Sequence, residues 1–339
     1  MSYLTFTYII IVHTSAQACV QLQSLCNHLA ESTLPSLIKF HLVCFIHFYT
    51  TPVLVMVYLA TLFGNLLVIL IISTNHRLQT PMYICIATLA VIDLLSSTNI
   101  IPQIVAVLLD STATSYGLCL FQMLLVYYLE AVESLLLAVM ACDRYVAVVH
   151  PLRYPSLITN KTAWMAVTLL HFSMALFLVP YVLYVTELSF CDTNILNYCF
   201  CDYITTVKIA CNEETKYLLM VSTTSIVFGV CPFALILLSY FRIAYAALKI
   251  SSADGKRKVF NTLITHLLVV GLFNIPLVTS YILTGTGVTL SAEAYNTMVI
   301  IGNIVPPMFN PIIYSFRNKE IKNSIHRLLT GVKNVTRNE

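Results

Sequence analysis

Long apolar stretches alternate with short polar connections along this chain, and seven of the stretches are long enough to cross a lipid bilayer. A membrane-spanning α-helix needs about 20 apolar residues. Polar or glycine-bearing segments such as Ser251–Gly255 and Thr284–Gly287 separate neighbouring stretches. The pattern predicts an all-α membrane protein, a bundle of seven transmembrane helices, with spans 1 to 7 at residues 50–72, 81–105, 116–142, 163–184, 217–241, 260–284 and 294–315.

Composition indicates the same class of protein. Of the 339 residues, 58% are hydrophobic and only 10% are charged, and the mean hydropathy is +0.84. A soluble domain has about 25% charged residues, so this chain carries too few charges to cover a surface in water. No run of basic residues alternates with aromatic residues, so we do not expect nucleic acid as a partner. The apolar composition instead makes membrane lipid the expected partner.

The positions of the basic residues predict the orientation. If the N-terminus lies outside, only Lys39, Lys208 and Lys216 of the 18 Lys and Arg residues fall on the outer side. Loops on the cytoplasmic side of membrane proteins are enriched in Lys and Arg. We therefore expect a multi-pass protein of the plasma membrane with an extracellular N-terminus.

Residues 1–49 precede span 1 and are expected to form an extracellular segment. Tyr3–Val12 is a short apolar run, and Ala16-Gln17-Ala18 resembles a cleavage site, but no Lys or Arg precedes the run as a signal peptide requires. Several interpretations stay open: a cleaved signal, a poorly ordered extension, an ordered segment, or a misplaced gene start. Residues 50–315 then form the seven-helix domain, and residues 316–339 form a cytoplasmic amphipathic helix and tail.

Polar side chains within the spans are the first candidates for function, because lipid cannot solvate them. We expect them to face the interior of the bundle. They are Asp93 in span 2, Glu130 and Glu133 in span 3, His266 and Asn274 in span 6, and Asn303 and Asn310 in span 7, with Asp143 and Arg144 at the inner end of span 3.

Short characteristic strings occur in order along six of the seven spans. They are Gly64-Asn65 in span 1, LQTPMY (78–83) and LAVIDL (89–94) in span 2, MACDRYVAVV (140–149) with HPLRY (150–154) after span 3, Ser239-Tyr240 in span 5, RKVFNTLITH (257–266) in span 6 and NPIIYSFRN (310–318) in span 7. Together they resemble the odorant-receptor branch of the rhodopsin-like (class A) G-protein-coupled receptors, with fish-type odorant receptors most similar. The resemblance extends from span 1 to the end of the last helix.

The resemblance implies a switch at the inner end of the bundle. In that family the arginine of the span 3 string is released on activation and faces a heterotrimeric G protein, of the stimulatory type that raises cyclic AMP. Taken alone, Arg144 is also explained as a positive anchor at the membrane surface, and the surrounding string favours the switch. The residues implied in coupling are Asp143, Arg144, Tyr145, Tyr240, Lys258, His266, Asn310, Pro311 and Tyr314.

Asp93 and Glu133 are two carboxyl groups expected at similar depth. Two such groups in a low dielectric cannot both ionise cheaply, so they share a proton or hold a cation. The resemblance places both, with Asn310, around an allosteric sodium ion, and no other cofactor is expected. The alternative is a protonated Asp93 hydrogen-bonded to Asn65 and Asn310, and the sequence leaves both open.

Cysteines cluster in the connection between spans 4 and 5. By resemblance, Cys119 pairs with Cys201 and Cys191 pairs with Cys211. Such bridges would hold the connection as a lid over the bundle. Cys199 is then left over and could compete for Cys119. Buried packing is expected of Cys85, Cys142 and Cys231.

The ligand site is expected in the outer half of the bundle. Aminergic receptors, which share the architecture, need an aspartate where this chain has Val126, so an amine held in that way is disfavoured. Apolar walls with a few polar groups are typical of small-molecule pockets and also of any bundle core. The candidate lining residues are Val126, Tyr127, Glu130, Thr224, Phe228, Asn274, Leu277, Tyr281, Ile300 and Asn303.

After Tyr314 the apolar residues Phe316, Ile321, Ile325 and Leu328 share one face, which predicts an amphipathic helix along the inner leaflet. Two features depart from the odorant-receptor pattern. Asn274 stands where the family usually has an aromatic residue, and the N-terminal segment has no glycosylation sequon.

The sequence therefore predicts a receptor that binds a small odorant and activates a G protein. A rhodopsin-like receptor for a non-odorant metabolite is the alternative, and a transporter or channel is a more distant one. The chain contains no zinc-protease helix, nucleophile elbow or phosphate-binding loop, so we expect no enzymatic activity.

Overall fold

The computed structural model describes residues 39–42, 50–191, 194–249, 251–285, 291–317 and 319–330, and most of them are helical. Seven helical segments are long and apolar enough to cross a membrane, as predicted. They are Thr51–Thr74, Pro81–Leu108, Tyr116–Val149, Asn160–Thr186, Thr215–Leu248, Ala253–Gly285 and Ala292–Arg317, and we keep the names span 1 to span 7 for them.

Several spans extend beyond their apolar cores. Span 3 runs to Val149 and not to residue 142, and span 6 begins at Ala253 and not at residue 260. Hydrophobicity marks only the part of a helix that lies in lipid, whereas backbone hydrogen bonds carry the helix on into water. Span 3 ends where His150 precedes Pro151, because the residue before a proline is disfavoured in helical geometry.

Spans 4 and 5 are each interrupted next to a proline. Span 4 consists of Asn160–Phe177 and Val179–Thr186, with Pro180 at the start of the second helix. Span 5 contains a π-helical turn at Ile226–Val230, directly before Cys231-Pro232. A proline inside a helix crowds the carbonyl four residues earlier and cannot donate to it, so the backbone must deviate there.

Spans 2 and 3 form the centre of the bundle. Spans 1 and 5 pack against them from either side, and span 7 contacts spans 1, 2 and 6. About three quarters of the apolar core of span 2 is buried, against less than a third for span 1. The outer face of span 1 instead exposes large apolar side chains such as Met56, Phe63 and Leu66, which is the arrangement expected of a helix in contact with lipid.

Span 1 and span 7 approach each other closely at Gly64. A Cβ atom on Gly64 would lie 2.8 Å from Cγ of Pro311. Pro311 has no N–H to donate to the carbonyl of Pro307, and the side-chain amide of the neighbouring Asn65 donates to that carbonyl at 3.0 Å. Gly64 thus leaves space for the Pro311 ring, and Asn65 donates the hydrogen bond that Pro311 cannot give to the carbonyl of Pro307.

A three-stranded sheet that the sequence pattern did not predict covers one end of the bundle. Its strands are β1 (Lys39–Leu42), β2 (Ala113–Ser115) and β3 (Ile195–Leu196), in the order β2-β1-β3. β1 is antiparallel to β2 and parallel to β3. We call this end of the bundle the sheet end, and the opposite end, where span 3 finishes, the Arg144 end.

β1 lies within the segment, residues 1–49, that precedes span 1. Phe40 and Leu42 are completely buried, and the ring of Phe40 packs edge-on against Phe190 at 5.1 Å. Lys39–Leu42 is therefore an ordered strand inserted between two connections of the bundle. The possible cleavage site at Ala16-Gln17-Ala18 lies outside the described residues.

The predicted C-terminal helix is present at Lys319–Thr330. Ile321 on its apolar face is completely buried, and Ser324 accepts a hydrogen bond from Asn75 at 3.0 Å. The helix therefore packs back against the Arg144 end of span 1. The side chains of Phe316 and Leu328 lie outside the described part of the chain.

We expect Gly64→Ala to destabilise the protein, because the added methyl group would overlap Pro311. Overpacking of this kind typically costs about 1–3 kcal/mol. The measurement is the thermal unfolding midpoint of the protein purified in detergent. Gly271→Ala is the matched control, since its Cβ would meet only Cδ1 of Ile275 at an ordinary 3.6 Å. Equal midpoints for the two variants would contradict the close approach.

Candidate functional site

A cavity of about 620 Å³, including its open mouth, lies between spans 3, 4, 5 and 6. Its walls are mainly aromatic and aliphatic. The lining residues are Tyr127, Tyr128, Glu130, Ala131 and Ser134 from span 3, Met174, Phe177, Leu178 and Tyr181 from span 4, Thr224, Ser225, Phe228 and Gly229 from span 5, and Phe273, Asn274, Leu277 and Val278 from span 6.

Six of the ten predicted ligand-site residues line this cavity: Tyr127, Glu130, Thr224, Phe228, Asn274 and Leu277. Val126, Ile300 and Asn303 do not. Val126 is buried on a different face of span 3, about 100° around the helix from Tyr127. Asn303 stands behind the wall and donates a hydrogen bond to Glu130 at 3.0 Å. The side chain of Tyr281 lies outside the described residues.

Span 4 is the wall that the sequence did not predict. The helix interruption at Leu178 lies between Phe177 and Tyr181, which both line the cavity. The ring of Phe177 meets Phe228 of span 5 edge-on at 4.5 Å. Pro180 within an apolar stretch was the available sign of this irregular wall, since a proline disturbs the helix before it.

Polar groups of the cavity wall are joined by short hydrogen bonds. The hydroxyls of Tyr181 and Thr224 are 2.5 Å apart, which links span 4 to span 5. The side-chain amide of Asn274 donates to the carbonyl of Val270 on its own helix at 3.0 Å. Asn274, which departs from the odorant-receptor pattern, therefore lies in the cavity wall.

The connection between spans 4 and 5 covers the cavity. Its short helix Tyr203–Lys208 presents the buried ring of Tyr203 to Tyr127 and Tyr181, at 6.0 and 5.1 Å. The N–H of Cys201 donates to Gln122 of span 3 at 2.8 Å. We call this connection the roof.

Disulfides hold the roof in place. Cys119 is bonded to Cys201 and Cys191 to Cys211, which are the pairs that the resemblance implied. Cys199 is itself disulfide-bonded, with a partner outside the described residues, and so does not compete for Cys119. Of the free thiols, Cys85 is buried, whereas Cys142 and Cys231 are exposed on the bundle surface and not packed inside it as expected.

Asp202 begins the roof helix. Its carboxylate accepts a hydrogen bond from the N–H of Thr205 at 3.0 Å, which satisfies one of the free donors at the helix start. The hydroxyl of Tyr295 in span 7 reaches the same carboxyl at 3.5 Å. Burial raises the pKa of Asp202 to about 6, although the backbone hydrogen bonds and the positive charge of Lys208 oppose the shift.

Asp93 and Glu133 are both buried in the middle of the bundle, near enough to interact electrostatically. The amide of Asn310 donates to both oxygens of Asp93, at 3.2 and 3.1 Å. The side-chain amide of Asn65 donates to Thr61 and Pro307 and not to Asp93, which corrects one expected contact.

Oxygen atoms in this group match the preference of a hard cation. Oε1 of Glu133 and Oδ1 of Asn310 are buried with no hydrogen-bond partner among the described residues. Carboxylate and amide oxygens are the ligands that hard cations prefer. No cluster of three or more His, Cys, Asp or Glu with metal-binding geometry occurs in the described part of the chain. The oxygen atoms present are chemically compatible with a hard cation.

At the Arg144 end, Arg144 pairs with Asp143 at 2.7 Å, and Asp143 also accepts a hydrogen bond from Tyr154 at 2.9 Å. The Tyr154 hydroxyl belongs to the short helix Tyr154–Leu157 that follows span 3. The ring of Tyr145 packs edge-on against His150 at 6.0 Å. The guanidinium is thus neutralised by a carboxylate that the neighbouring connection holds in place.

Three more predicted coupling residues meet beside this ion pair. His266 of span 6 lies between Tyr240 of span 5 and Tyr314 of span 7, with ring centroids 6.5 Å away on each side. All three side chains are buried. The hydroxyls of Tyr240 and Tyr314 and the Nδ1 atom of His266 have no hydrogen-bond partner among the described residues. The side chain of Lys258 lies outside the described part.

Comparison with known proteins identifies the family. A model of the olfactory receptor family matches residues 54–332. Human olfactory receptor 9Q2 is 39% identical over 280 residues, covering 81% of this chain and 88% of that protein. The chicken olfactory receptor-like protein COR4 is 37% identical over 274 residues, covering 80% and 87%. The chain belongs to the olfactory receptor family.

This olfactory receptor shares with its family the seven spans and the C-terminal helix. The matched region begins within span 1, so β1 precedes it. Olfactory receptors are signalling proteins and not enzymes, as the sequence predicted. This olfactory receptor has two candidate functional sites, the roofed cavity and the cluster around Arg144.

We expect the stability of the olfactory receptor to depend on pH through Asp202. As the pH rises from about 4 to about 6, the unfolded carboxyl loses its proton while the folded one keeps it. The free energy of unfolding therefore falls, by up to about 3 kcal/mol. Asp202→Asn keeps an acceptor oxygen for the helix start and removes this titration.

The measurement is the unfolding midpoint of the purified receptor and of Asp202→Asn at about pH 4.5 and pH 6.5. Other carboxyl groups titrate equally in both proteins, so only the difference between the two curves reports on Asp202. The wild-type midpoint should fall relative to that of the variant as the pH rises. Parallel curves would show that Asp202 titrates as an ordinary exposed carboxyl group.

Proposed function

We propose that this protein is an odorant receptor that binds a small odorant in the roofed cavity and activates a heterotrimeric G protein. The observation that carries the proposal is the joint presence of the cavity and the Arg144 cluster at opposite halves of one seven-helix bundle. Human olfactory receptor 9Q2, the most similar relative named above, supports the odorant assignment by its name. The assignment to fish-type receptors stays a prediction from the sequence strings.

The sheet end is proposed to be extracellular. Lys39 in β1, Lys208 in the roof and Lys216 at the start of span 5 are the basic residues expected on the outside, and all lie at this end. Arg144 and Arg153 lie at the other end, in agreement with the positive-inside rule. The disulfides Cys119–Cys201 and Cys191–Cys211 also require an oxidising compartment. An odorant would thus enter from outside.

Coupling between the two sites runs through helices that contribute to both. Span 5 lines the cavity with Phe228 in its π-helical turn and supplies Tyr240 to the Arg144 end. Span 6 lines the cavity with Asn274 and supplies His266. An odorant that contacts spans 5 and 6 differently in two arrangements of the bundle shifts the balance between them.

We infer that the active arrangement is the one in which the inner end of span 6 moves outward. Movement of span 6 would take His266 away from Tyr240 and Tyr314. The movement would break no hydrogen bond of the two tyrosine hydroxyls, because they have no partner among the described residues. The cleft so formed exposes Arg144, Tyr240 and Lys258 to a G protein of the stimulatory, cyclic-AMP-raising type. A cyclic-AMP reporter screen of the surface-expressed receptor against an odorant panel tests this function.

Asp93, Glu133 and Asn310 are proposed to hold a sodium ion. When bound, the ion supplies positive charge that offsets the repulsion between the two carboxylates. The oxygen atoms of Glu133 and Asn310 that lack a partner among the described residues support the proposal. The alternative, a protonated Asp93 held by the amide of Asn310, is compatible with the same two hydrogen bonds.

We expect Arg144→Ala to abolish odorant-driven cyclic-AMP formation and to leave odorant binding nearly unchanged. Arg144 lies at the end of span 3 away from the cavity, so its loss removes the G-protein contact and the ion pair with Asp143 but no part of the cavity wall. Arg153→Ala, an exposed arginine at the same end, is the matched control. Full cyclic-AMP output from Arg144→Ala at matched surface levels would overturn the assigned role.

We expect sodium to lower the affinity for an agonist, since an ion bound mainly to the resting arrangement opposes activation by linkage. Asp93→Asn should remove this effect, because an amide supplies no charge. The measurement is agonist binding to membranes in sodium and in a bulky organic cation at equal ionic strength. Asp110→Asn, at an exposed position near the sheet end, controls for the lost charge. Equal affinities in both media would favour the protonated Asp93.

A further inference from the structure

Ser134 lines the cavity from span 3 and is only 2% exposed. Its hydroxyl is buried with no hydrogen-bond partner among the described residues. A buried polar group without a partner costs free energy, so such groups are rare in folded proteins. A hydroxyl of this kind in a cavity wall is therefore a candidate contact for a ligand.

Serine hydroxyls on helices can avoid this cost by donating to a carbonyl three or four residues earlier. Ser225, which lines the same cavity, donates in this way to the carbonyl of Val221 at 2.7 Å. The equivalent carbonyls for Ser134 belong to Glu130 and Ala131, and its hydroxyl bonds to neither of them. The proton of the Ser134 hydroxyl is therefore available to an acceptor on a ligand.

Other polar side chains of the wall already have partners within the protein. Their hydrogen bonds are between 2.5 and 3.0 Å long. The bonded pairs are Tyr128 with His171, Glu130 with Asn303, Tyr181 with Thr224, and Asn274 with the carbonyl of Val270. A ligand oxygen would have to compete with these contacts, whereas the hydroxyl of Ser134 has no described contact to give up.

The rest of the wall suits an apolar ligand body. The rings of Tyr127 and Tyr181 stack at 5.2 Å, and those of Phe177 and Phe228 meet edge-on at 4.5 Å. No Lys, Arg or His lines the cavity in the described part of the chain, so a ligand carboxylate would have no cation to pair with. Apolar walls with a few polar groups are typical of small-molecule sites. One acceptor oxygen on an apolar molecule is thus the chemistry that fits.

Ser134 lies at the end of the cavity wall that is nearest to Arg144. Among the span 3 residues that line the cavity, it is the furthest from Tyr127, at a distance of about 10 Å along the helix. Tyr127 contacts the roof through the ring of Tyr203. A ligand bound to Ser134 would therefore place its oxygen away from the roof and its apolar body among the aromatic rings toward the roof.

We propose that Ser134 is a specificity-determining residue of the cavity and that the receptor's ligands are small ketones or aldehydes whose carbonyl oxygen accepts a hydrogen bond from its hydroxyl. The proposal rests on the cavity being the odorant site, as proposed above. An alkene in which a methylene group replaces the carbonyl oxygen has nearly the same shape but cannot accept a hydrogen bond. The alkene would therefore leave the hydroxyl without a partner, whereas the carbonyl compound would supply one.

The test compares carbonyl compounds with alkenes of matched shape, namely acetophenone with α-methylstyrene, benzaldehyde with styrene, and 2-heptanone with 2-methyl-1-heptene. Potency is measured by cyclic-AMP reporter and by binding to membranes at matched surface levels. At least one carbonyl compound should be about fivefold or more as potent as its alkene on the wild-type receptor. Equal potencies throughout, or no response to any carbonyl compound, would overturn the proposal.

Two variants isolate the hydroxyl. Ser134→Ala removes a hydroxyl that has no described partner, so the advantage of a carbonyl compound over its alkene should fall about fivefold or more. Ser225→Ala is the matched control, because it removes from the same wall a hydroxyl that is already bonded to Val221. It should leave that advantage unchanged, whatever its effect on overall potency. An unchanged advantage in Ser134→Ala, or an equal loss in both variants, would overturn the role of Ser134.

A third variant separates failure of this proposal from failure of the proposed function. Ala131→Trp places a large ring in the cavity one helical turn from Ser134, so it should abolish responses to every agonist. Ala131→Leu, which should weaken them, replaces it if the tryptophan variant does not reach the cell surface. If responses are lost while Ser134→Ala keeps the full carbonyl advantage, the cavity is the ligand site and only the carbonyl proposal is wrong. If responses persist unchanged at position 131, the ligand binds elsewhere and both proposals fail.

Discussion

Lipid neither donates nor accepts hydrogen bonds, so the backbone N–H and C=O groups of the spans must find their partners within the protein. The contact between spans 1 and 7 shows how far this requirement reaches. Pro311 deprives the carbonyl of Pro307 of its helical donor, Asn65 supplies one from the neighbouring helix, and Gly64 provides the space for the two helices to meet. A short string in span 1 and a proline in span 7 are thus two halves of one interaction.

Prolines also interrupt the regular helical geometry of spans 4 and 5 next to the cavity. Pro180 follows the break at Leu178, and Pro232 follows the π-helical turn that carries Phe228. The aromatic side chains at these irregular points turn toward each other, and the roof closes over them with Tyr203. The irregular segments of spans 4 and 5 therefore supply two of the four walls of the cavity.

Glu130 and Glu133 of span 3 have different surroundings. Glu130 and Glu133 are three residues apart on the same helix, yet Glu130 lies in the cavity wall and Glu133 is buried near Asp93. Asn303 holds the first, and Asn310 holds the partner of the second. Span 7 thus supplies one amide to Glu130 in the cavity wall and one to Asp93, and Glu133 interacts electrostatically with both carboxyl groups.

The sequence by itself determined the number of spans, their order and the class of protein, because hydrophobic length and scarcity of charge are properties of the chain alone. It also identified the polar residues that must face inward, such as Asp93 and Glu130, since lipid admits no other solution. Tertiary structure decided which of them meet. Val126 and Asn303 fall outside the cavity wall, span 4 enters it, and β1 joins the roof. These outcomes depend on helix rotation, on breaks at prolines and on pairing between distant segments. The periodicity of a local sequence segment does not determine any of them.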